Sequence, residues 1–416
     1  MNKNNINIAI IGIGYVGLPL ALSFGKYFNI VAYDKNKNRI NDLNSNLDIN
    51  KQFNKSKYKN IKYTNNKSDL SKCNVYIITV PTPIRKSNLP DLSILKNATF
   101  MVAKFLKKND YVIYESTVYP GTTDDVLIPL LENTSKLKIN VDFFCGYSPE
   151  RINPGDKNNS ISNIVKVTSG SNYKASRFID NLYKKIIHAG TFLVKNIQIA
   201  EAAKVIENCQ RDINIAFINE LFLVFDKLNI NVYDVLKASK TKWNFLDFKP
   251  GLVGGHCIGV DPYYLTYISR KKKYNPEIIL SGRKINDNFS NLLAKKFLNN
   301  LAKNKKLSNC KILVMGFTFK ENCPDIRNTK IINFIDTIKK KTKKVDVFDP
   351  VANHTEVKKE YKISLLKKPK FNYYDSVVIL LSHKLFIKLG INKIKKFGKK
   401  DSYIFDFKNT FNLYSN

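Results

Sequence analysis

The first half of the chain alternates short apolar runs with segments of helical spacing. Within these runs hydrophobic residues follow one another instead of alternating with polar ones, which is typical of strands buried on both faces of a parallel sheet. Strands separated by helical segments indicate βαβ units. The predicted strands of this half are residues 6–13, 29–34, 75–80, 110–116, 142–148 and 164–170.

The pattern changes in the middle of the chain. Residues 198–228 contain neither glycine nor proline and carry the longest helical pattern. A loop rich in glycine and proline follows at 249–262, and helical spacing then continues to about residue 306. Because strand-like runs return afterwards, we expect a second α/β unit and an α/β fold overall. These later runs are residues 311–317, 344–350, 376–382 and 403–407.

Length and composition narrow the class of protein. The chain has 416 residues, of which 44% are hydrophobic and 25% charged, as in an ordinary globular protein of more than one domain. This excludes wholesale disorder, a collagen repeat and a disulfide scaffold. The apolar segment 6–25 resembles a signal peptide or a membrane span. It contains Pro19 and four glycines and lacks a small-residue cleavage site, so we predict neither secretion nor membrane insertion.

The net charge is unusually positive. The 69 basic and 34 acidic residues give +35, which suggests nucleic acid or an anionic membrane as a partner. Only eight basic residues are arginine, however, and the 61 lysines are scattered along the chain. Proteins that read nucleic acid use arginine for bidentate contacts to bases and phosphates. We therefore interpret the lysines as solvated surface and predict no nucleic-acid partner, while an acidic small substrate stays compatible with the charge.

The six cysteines give no sign of a metal site. They form no C-x-x-C pair and stand at no zinc-like spacing with histidine, so we predict no bound metal. Sparse cysteine in a large chain is typical of the reducing cytosol, and we predict a cytoplasmic location. The six are Cys73, Cys145, Cys209, Cys257, Cys310 and Cys323.

The first chemical motif is a glycine-rich turn between a predicted strand and a predicted helix. Gly12, Gly14 and Gly17 form G-x-G-x-x-G. In this motif the first glycine permits a tight turn, the second lets the backbone approach a pyrophosphate, and the third lets helix and strand pack closely. Asp34, at the end of the second strand, offers a carboxylate to ribose hydroxyls and disfavours a 2′-phosphate, although Arg39 slightly blurs that preference. We predict NAD binding; the alternative is a purely structural glycine turn.

The second motif is GGHCIGVDP at residues 254–262, which presents Cys257 on a loop. The flanking glycines, Asp261 and Pro262 argue against the alternative, a small hydrophobic residue in the core. Oxidation of an alcohol to a carbonyl needs only a base and a hydride acceptor. Oxidation of an aldehyde to an acid is easier when a thiolate adds first, because the thiohemiacetal can then become a thioester that water hydrolyses. A dinucleotide site combined with a reactive thiol therefore suggests oxidation to a carboxylate.

The third motif lies on the long predicted helix. Lys204, Asn208 and Arg211 are spaced i, i+4 and i+7 and so share one face. A partly buried lysine can orient an oxyanion or act as an acid or base. The alternative is a solvated polar stripe.

Four weaker segments follow predicted strands, at the sheet edge where ligands bind in open α/β folds. Each alone is more typical of a turn than of a site. They are Pro-Thr-Pro at 81–83, ESTVYPG at 115–121, SPER at 148–151, and GFTFK at 316–320 with DIR at 325–327.

Together and in this order, the motifs resemble the UDP-glucose/GDP-mannose dehydrogenase family over residues 6 to 408. The resemblance implies two Rossmann-like, doubly wound domains joined by a long central helix that also forms a homodimer. It implies an NAD-binding domain at 1–197, a central helical domain with the cysteine loop at 198–306 and a UDP-sugar-binding domain at 307–416. The implied activity is oxidation of the C6 hydroxyl of a nucleotide sugar to a carboxylate, with two NAD reduced. SPERINPGD and GGHCIGVDPYYL are most similar to the bacterial UDP-N-acetylhexosamine 6-dehydrogenases (UDP-GlcNAc or UDP-GalNAc) of surface-polysaccharide synthesis.

The resemblance also implies roles for individual residues. Cys257 is the implied nucleophile, while Lys204 and Asn208 bind the sugar end and stabilise oxyanions. Asp261 assists water or proton transfer, and Thr117 lies beside the nicotinamide. The other implied cofactor contacts are Gly12, Gly14, Val16, Gly17, Asp34, Arg39, Thr82 and Arg327. The other implied substrate contacts are Glu150, Arg151, Gly254, Lys320 and Arg283, the last reaching across the dimer.

The sequence departs from the UDP-glucose enzymes at three positions. Pro154 replaces a second glutamate, His256 replaces an aromatic residue, and Lys408 stands where arginine is usual. Rival hypotheses are the same chemistry on UDP-glucose or UDP-N-acetylmannosamine, and a two-electron hydroxyacid dehydrogenase that needs no Cys257. A basic nucleic-acid-binding or structural protein on a Rossmann scaffold is the rival from another class.

Overall fold

The computed structural model describes residues 6–48, 60–85, 87–151, 161–255 and 257–413. The chain divides into two compact units. The first contains residues 1–207 and 263–275, and the second contains residues 208–262 and 276–416. Pro154 and His256, at which the sequence departs from the UDP-glucose enzymes, lie outside the described residues.

An eight-stranded sheet of order β3-β2-β1-β4-β5-β6-β7-β8 forms the first unit. All neighbouring strands are parallel except β6 and β7. The direction of the strand order reverses between β1 and β4, the position at which ligands bind in doubly wound folds. The strands are β1 Asn7–Ile11, β2 Asn29–Tyr33, β3 Ile61–Thr64, β4 Val75–Ile78, β5 Tyr111–Tyr114, β6 Phe144–Tyr147, β7 Lys166–Gly170 and β8 Thr191–Leu193.

Helices cover this sheet and bury its apolar residues. Phe24 of the first helix packs against Tyr183 of the fifth, with ring centroids 5.6 Å apart. A π-helical turn, Thr123–Leu127, precedes the fourth helix, and such turns are frequent at functional sites. The helices are α1 Gly17–Phe24, α2 Lys37–Asn44, α3 Ser93–Ala103, α4 Ile128–Ser135 and α5 Tyr173–Lys184, with 3₁₀ turns at Lys67–Lys72 and Ile161–Asn163.

Two helices, α6 and α8, contain residues of both units. α6, Ile197–Lys227, has 31 residues and confirms the helix predicted over 198–228. α8, Asp261–Lys271, begins directly after the cysteine loop.

The second unit is built on a four-stranded parallel sheet of order β10-β9-β11-β12. Its core packs Phe289 and Phe297 of the long helix α9 against the sheet and α10. The strands are β9 Lys311–Met315, β10 Lys344–Phe348, β11 Tyr374–Ile379 and β12 Gly398–Asp406. The helices are α7 Val232–Ser239, α9 Glu277–Ala302, α10 Ile331–Lys339, α11 His354–Tyr361, α12 Lys384–Leu389 and α13 Ile391–Lys395, with a 3₁₀ turn at Leu307–Asn309.

The same local geometry occurs at the end of the first strand of each sheet. Gly12 has φ +97° and donates its N–H to the Tyr33 carbonyl at 2.9 Å. Gly316 has φ +99° and donates to the Phe348 carbonyl at the same distance. The next N–H then donates to a carboxylate that follows the second strand of its sheet, Asp34 in one unit and Asp349 in the other. Both units therefore hold the turn after their first strand in the Rossmann manner, which confirms the predicted fold class.

Within the described ranges no helix is long and apolar enough to cross a bilayer.

Candidate functional site

In the glycine turn after β1, Gly17 and Gly14 are glycine for different reasons. A Cβ at Gly17, which is buried, would lie 2.0 Å from the Gly12 carbonyl oxygen and 2.7 Å from Thr79 Oγ1. A Cβ at Gly14, which is exposed, would meet no atom within 4 Å. Packing therefore requires glycine at 17, whereas the protein itself does not require it at 14. Glycine at 14 fits close approach of a dinucleotide pyrophosphate to the backbone before α1, where Val16 occupies the N-cap.

Asp34 and Arg39 hold this turn from the end of β2. The Ile13 N–H donates to Asp34 Oδ2 at 2.8 Å, and the Asn36 N–H donates to Oδ1 at 2.9 Å. The carboxylate is half-buried. Arg39 donates from Nε to the Ile13 carbonyl at 3.0 Å and pairs with Asp48 at 2.9 Å. Its cation is thus partly neutralised beside the turn, and the predicted cofactor contact of Arg39 stays a prediction.

Thr82 and Thr117 come together at the ends of β4 and β5. Thr82 Oγ1 donates to the Thr117 carbonyl at 2.6 Å, and both residues are half-buried. Tyr264 of α8 also binds this edge, because its hydroxyl donates to the Thr82 carbonyl at 2.8 Å. Residues that the sequence placed in separate weak motifs therefore share the edge of the sheet where a ligand is expected.

Glu201 fixes the loop that follows Thr117. Its carboxylate, on α6, accepts hydrogen bonds from the N–H groups of Gly121 and Thr123 and from the Thr123 hydroxyl, at 2.6, 2.9 and 2.7 Å. Glu201 is fully buried. Burial raises the pKa of this carboxyl to about 7, against the opposing effect of the three donors.

Glu150 and Arg151 lie beyond the end of β6. The Arg151 N–H donates to Glu150 Oε1 at 2.7 Å, and the Arg151 guanidinium pairs with Glu207 of α6 at 2.8 Å. Glu150 Oε2 lies 3.6 Å from the ammonium of Lys166. The SPER segment is therefore tied both to the sheet and to the helix that carries Lys204.

The predicted polar face of α6 contains residues in different environments. Lys204 is half-buried, Asn208 is buried, and Arg211 is exposed. Lys204 thus meets the condition of partial burial under which a lysine can orient an oxyanion or exchange a proton. Arg211 fits the alternative, a solvated side chain.

Cys257 differs from the other cysteines in its exposure. Cys257 is half-buried, and the remaining five are buried. Burial raises the pKa of Cys73 and of Cys209 to about 12, and it raises the pKa of the other three as well. Those five thiols stay protonated at neutral pH. The Cys257 carbonyl accepts from the N–H groups of Val260 and Asp261, so Cys257 lies just before the first turn of α8.

Asn208 and Asp261 meet in the second unit. Asn208 Nδ2 donates to Asp261 Oδ2 at 2.5 Å, and both side chains are buried. The bond joins the polar face of α6 to the residue that follows the cysteine loop. The predicted sugar contact Asn208 and the predicted proton-transfer residue Asp261 are therefore held together.

A buried polar network centred on Arg283 packs against the cysteine loop. Arg283 pairs with Asp212 at 2.6 Å and with Asp287 at 2.5 Å, and its side chain is buried. A Cβ at Gly259 would lie 3.9 Å from the guanidinium. Asn286 donates to Asp212 at 2.7 Å. Arg283 thus packs under the loop within its own chain, and its predicted reach across a dimer stays a prediction.

The loop after β9 contacts the other side of the cysteine loop. The Gly255 N–H donates to the Arg327 carbonyl at 3.2 Å, and Asn328 Nδ2 donates to the Gly255 carbonyl at 3.1 Å. A Cβ at Gly254 would lie 2.8 Å from the Asn328 carbonyl oxygen, so the two loops are in close contact. Lys320 belongs to the same loop, where its carbonyl accepts from the Thr318 hydroxyl at 2.9 Å. Gly254, Lys320 and Arg327 are therefore brought to one edge of the second unit.

Several residues of these clusters could not be predicted from the sequence pattern. Glu201, Asp212 and Lys166 received no role, because each stands in an otherwise ordinary helical or apolar pattern. The signal available for Lys166 was a lysine inside the predicted strand 164–170. Within the described residues, no group of three or more His, Cys, Asp or Glu is arranged to hold a metal ion.

Family models match the chain in three consecutive parts. They are the NAD binding domain of the UDP-glucose/GDP-mannose dehydrogenase family at residues 6–187, its central domain at 198–288 and its UDP binding domain at 313–413.

Known proteins match over nearly the whole chain. UDP-N-acetyl-D-glucosamine 6-dehydrogenase of Salmonella typhi is 47% identical over 409 residues, which cover 97% of this chain and 96% of that protein. The Pseudomonas aeruginosa protein of the same name is also 47% identical, over 97% of each chain. The solved structure of UDP-D-ManNAc dehydrogenase from Pyrococcus horikoshii has a TM-score of 0.86 at 30% identity, covering 98% of this chain and 96% of that one.

Proposed function

The chain belongs to the UDP-glucose/GDP-mannose dehydrogenase family, and from this premise we propose that it is an NAD-dependent UDP-N-acetylhexosamine 6-dehydrogenase. The reaction oxidises the C6 hydroxyl to a carboxylate and supplies a uronic acid sugar for surface polysaccharide. The 47% identity to two UDP-N-acetyl-D-glucosamine 6-dehydrogenases favours this substrate over UDP-N-acetylmannosamine, whose solved dehydrogenase is 30% identical.

The observation that carries the proposal is the half-buried thiol of Cys257 on a loop between two glycines and α8. A two-electron dehydrogenase needs no such thiol. An enzyme that continues to the acid uses it to hold the aldehyde as a thiohemiacetal and then as a thioester. The other five cysteines are buried, so Cys257 is the cysteine placed for this chemistry.

The overall reaction consumes one water and two NAD for each sugar, and it yields the carboxylate, two NADH and three protons. NAD, when bound, accepts the hydride at each oxidation. Between the two oxidations the Cys257 thiolate adds to C6 of the aldehyde, which forms a C–S bond and an oxyanion. After the second oxidation, water attacks the thioester, the C–S bond breaks and the thiolate is regenerated.

Side chains of this protein stabilise the oxyanion and transfer protons during the reaction. We assign the oxyanion contact to the ammonium of Lys204 and to the amide of Asn208. Asp261 orients that amide through the 2.5 Å bond and assists proton transfer to or from the attacking water. We assign Thr117, which follows β5, to the nicotinamide end of the cofactor, and Glu150, which follows β6, to the sugar.

The cofactor residues follow from the glycine turn. Gly14 admits the pyrophosphate and Asp34 accepts from the ribose hydroxyls, with Gly12, Val16 and Gly17 shaping the turn. The three-part division of the chain is proposed accordingly, with NAD bound by 1–197, the cysteine loop in 198–306 and UDP bound by 307–416. The further proposed cofactor contacts are Arg39, Thr82 and Arg327, and the further proposed substrate contacts are Arg151, Gly254, Arg283 and Lys320.

An exposed apolar face on α6 supports the proposed homodimer. Phe217 and Val224 are 53% and 44% exposed, and their spacing of seven residues places them on one side of the helix; Leu228, which directly follows the helix, is 58% exposed. A second copy of the chain is the proposed occupant of this face. Phe217→Glu with Val224→Glu should convert a dimer into a monomer in light scattering; an unchanged mass for the variant would place the interface elsewhere.

A cytoplasmic location completes the proposal. All six cysteines are free, as in a reducing compartment. NAD and UDP sugars are also substrates of that compartment's metabolism.

The test is NADH formation with a panel of UDP sugars at matched concentrations. UDP-N-acetylglucosamine or UDP-N-acetylgalactosamine should give the highest kcat/KM, and each sugar turned over should yield two NADH. Preference for UDP-N-acetylmannosamine or UDP-glucose would retain the chemistry and overturn the substrate class. No NADH with any sugar, together with salt-sensitive DNA retention, would instead favour the nucleic-acid-binding hypothesis.

A further inference from the structure

Lys166 is a buried cation next to the SPER segment, which contains the predicted substrate contacts Glu150 and Arg151. Its side chain is 4% exposed. The ammonium donates to Glu115 Oε2 at 2.7 Å and to the Pro149 carbonyl at 3.0 Å, and it lies 3.6 Å from Glu150 Oε2. Lys166 is the first residue of β7, which is antiparallel to β6. Its ammonium therefore reaches the carboxyl ends of both β5 and β6.

Among the described residues, further polar groups surround the two carboxylates. Glu115 follows β5 and accepts from the hydroxyl of Tyr183, whose ring lies 5.2 Å from the Lys166 ammonium. Glu150 accepts from the Arg151 N–H through its other oxygen, while the Arg151 guanidinium is paired with Glu207. Lys166 is thus the cation shared by two carboxylates, one fully buried and one at the predicted site.

Stability alone is a weak reason for such an arrangement. Transfer of an ion pair from water to a protein interior costs free energy, and well-packed apolar residues in its place are often neutral or stabilising. Glu115 is fully buried, and burial raises its pKa, while the Lys166 ammonium 2.7 Å away opposes that rise. The side of the cluster that reaches the predicted site is Glu150, which points to a role there.

We propose that Lys166 is a positioning residue, which holds the Glu150 carboxylate and the Pro149–Glu150 backbone in place for the oxidation. This proposal rests on the proposed function. Without the ammonium, the Glu150 carboxylate would lose a cation that lies 3.6 Å away and favours its charged form. Glu150 would then be protonated nearer to neutral pH and would lose its role as a carboxylate there.

The experiment removes the cation without leaving the Glu115 carboxylate buried and unpaired. Lys166→Met alone would leave the Glu115 carboxylate buried without its cation, and removal of one partner of a buried ion pair strongly destabilises the fold. All variants are therefore made in a Glu115→Gln background, because glutamine still accepts from Tyr183. Four proteins are compared: the background alone, the background with Lys166→Met, the background with Glu150→Gln, and the background with both. Melting temperatures establish that each is folded.

Steady-state kinetics with the best UDP sugar give the decisive readout. Lys166→Met should lower kcat by about tenfold or more and move the acid limb of the pH profile to higher pH by about one unit, with the KM for NAD unchanged. In the presence of Glu150→Gln the same substitution should cause no further loss, because its effect passes through Glu150. An equal loss of kcat with and without Glu150→Gln, or no loss of kcat in either case, would overturn the proposal.

A second measurement separates this proposal from the proposed function. If the parent protein oxidises no UDP sugar, the proposed function fails, and the four proteins are titrated by ¹³C NMR of labelled glutamate. The signal that Glu150→Gln removes reports the Glu150 carboxyl. A pKa higher by about one unit without Lys166 would support the positioning role; an unchanged pKa would overturn it.

Discussion

Gly14 and Gly17 should respond oppositely to an added side chain, although both belong to the same glycine motif. At Gly17 a Cβ would lie 2.0 Å from the Gly12 carbonyl oxygen and 3.1 Å from its carbon. Backbone atoms cannot move aside as a flexible side chain can. At Gly14 no atom lies within 4 Å of the Cβ position. Gly17→Ala therefore perturbs the fold, whereas Gly14→Val perturbs only a ligand that approaches the turn.

The magnitudes follow from these contacts. Relief of the clash at Gly17 requires the turn or α1 to move by more than an ångström, so Gly17→Ala should cost about 3 kcal/mol, the upper end for overpacking. For a unit of this size, that corresponds to a melting temperature lower by about 6–12 °C. Gly14→Val should change the stability by no more than about 0.5 kcal/mol. It should weaken NAD binding by at least about tenfold, because the side chain occupies the pyrophosphate approach.

Calorimetry on the two variants distinguishes an effect on the fold from an effect on NAD binding. The melting temperature without ligand reports the fold, and titration with NAD reports the site. Gly17→Ala should lower the melting temperature, and Gly14→Val should weaken NAD binding by at least about tenfold while it melts like the parent. Normal NAD affinity in Gly14→Val would refute the assignment of this turn to the dinucleotide, and with it the reasoning for the whole first unit.

Three further substitutions test separate parts of the account. Lys204→Ala should lower the rate of acid formation by about 10² to 10⁴, as expected for loss of an oxyanion or proton-transfer partner, and a smaller effect in steady-state assays would indicate a solvated lysine. Asp34→Ala should narrow the preference for NAD over NADP in kcat/KM, and an unchanged ratio would mean that another group accepts from the ribose. Glu201 has a folded-state pKa raised by burial to about 7, so its stabilising effect is complete at low pH and is lost as pH rises through 7. The melting temperature of the parent relative to Glu201→Gln should accordingly fall between pH 5 and 8, by the equivalent of about 3 kcal/mol at most, whereas parallel curves would contradict a protonated Glu201.

The sequence predicted the interior of the fold better than its edges. Each of the ten predicted strands overlaps an observed strand, because a strand buried on both faces leaves a continuous apolar run. The two missed strands, β3 and β8, are the outermost strands of the eight-stranded sheet. They are short and partly exposed, so their sequences mix polar and apolar residues without a clear period.

The candidate site was predictable where local chemistry is distinctive. Glycine spacing identified the turn at Gly12, and the flanking residues identified Cys257. Contacts between distant residues were not predictable in the same way. Asn208 and Asp261 are separated by 53 positions, and Lys166 and Glu115 by 51. Nothing in the local pattern around Lys166 distinguishes a buried shared cation from the many solvated lysines of the chain.

The central claim is that Cys257 carries the acyl group, and the mass of the intact Cys257→Ser protein tests it most directly. Serine adds to the aldehyde as cysteine does, but the resulting oxygen ester hydrolyses far more slowly than a thioester. After incubation with NAD and UDP-N-acetylglucosamine, the serine variant should gain the mass of an acylated sugar nucleotide. Cys257→Ala, the matched control, should gain no mass and form no acid. An unmodified serine variant, with acid formation by the alanine variant near the parent's rate, would contradict the thioester mechanism.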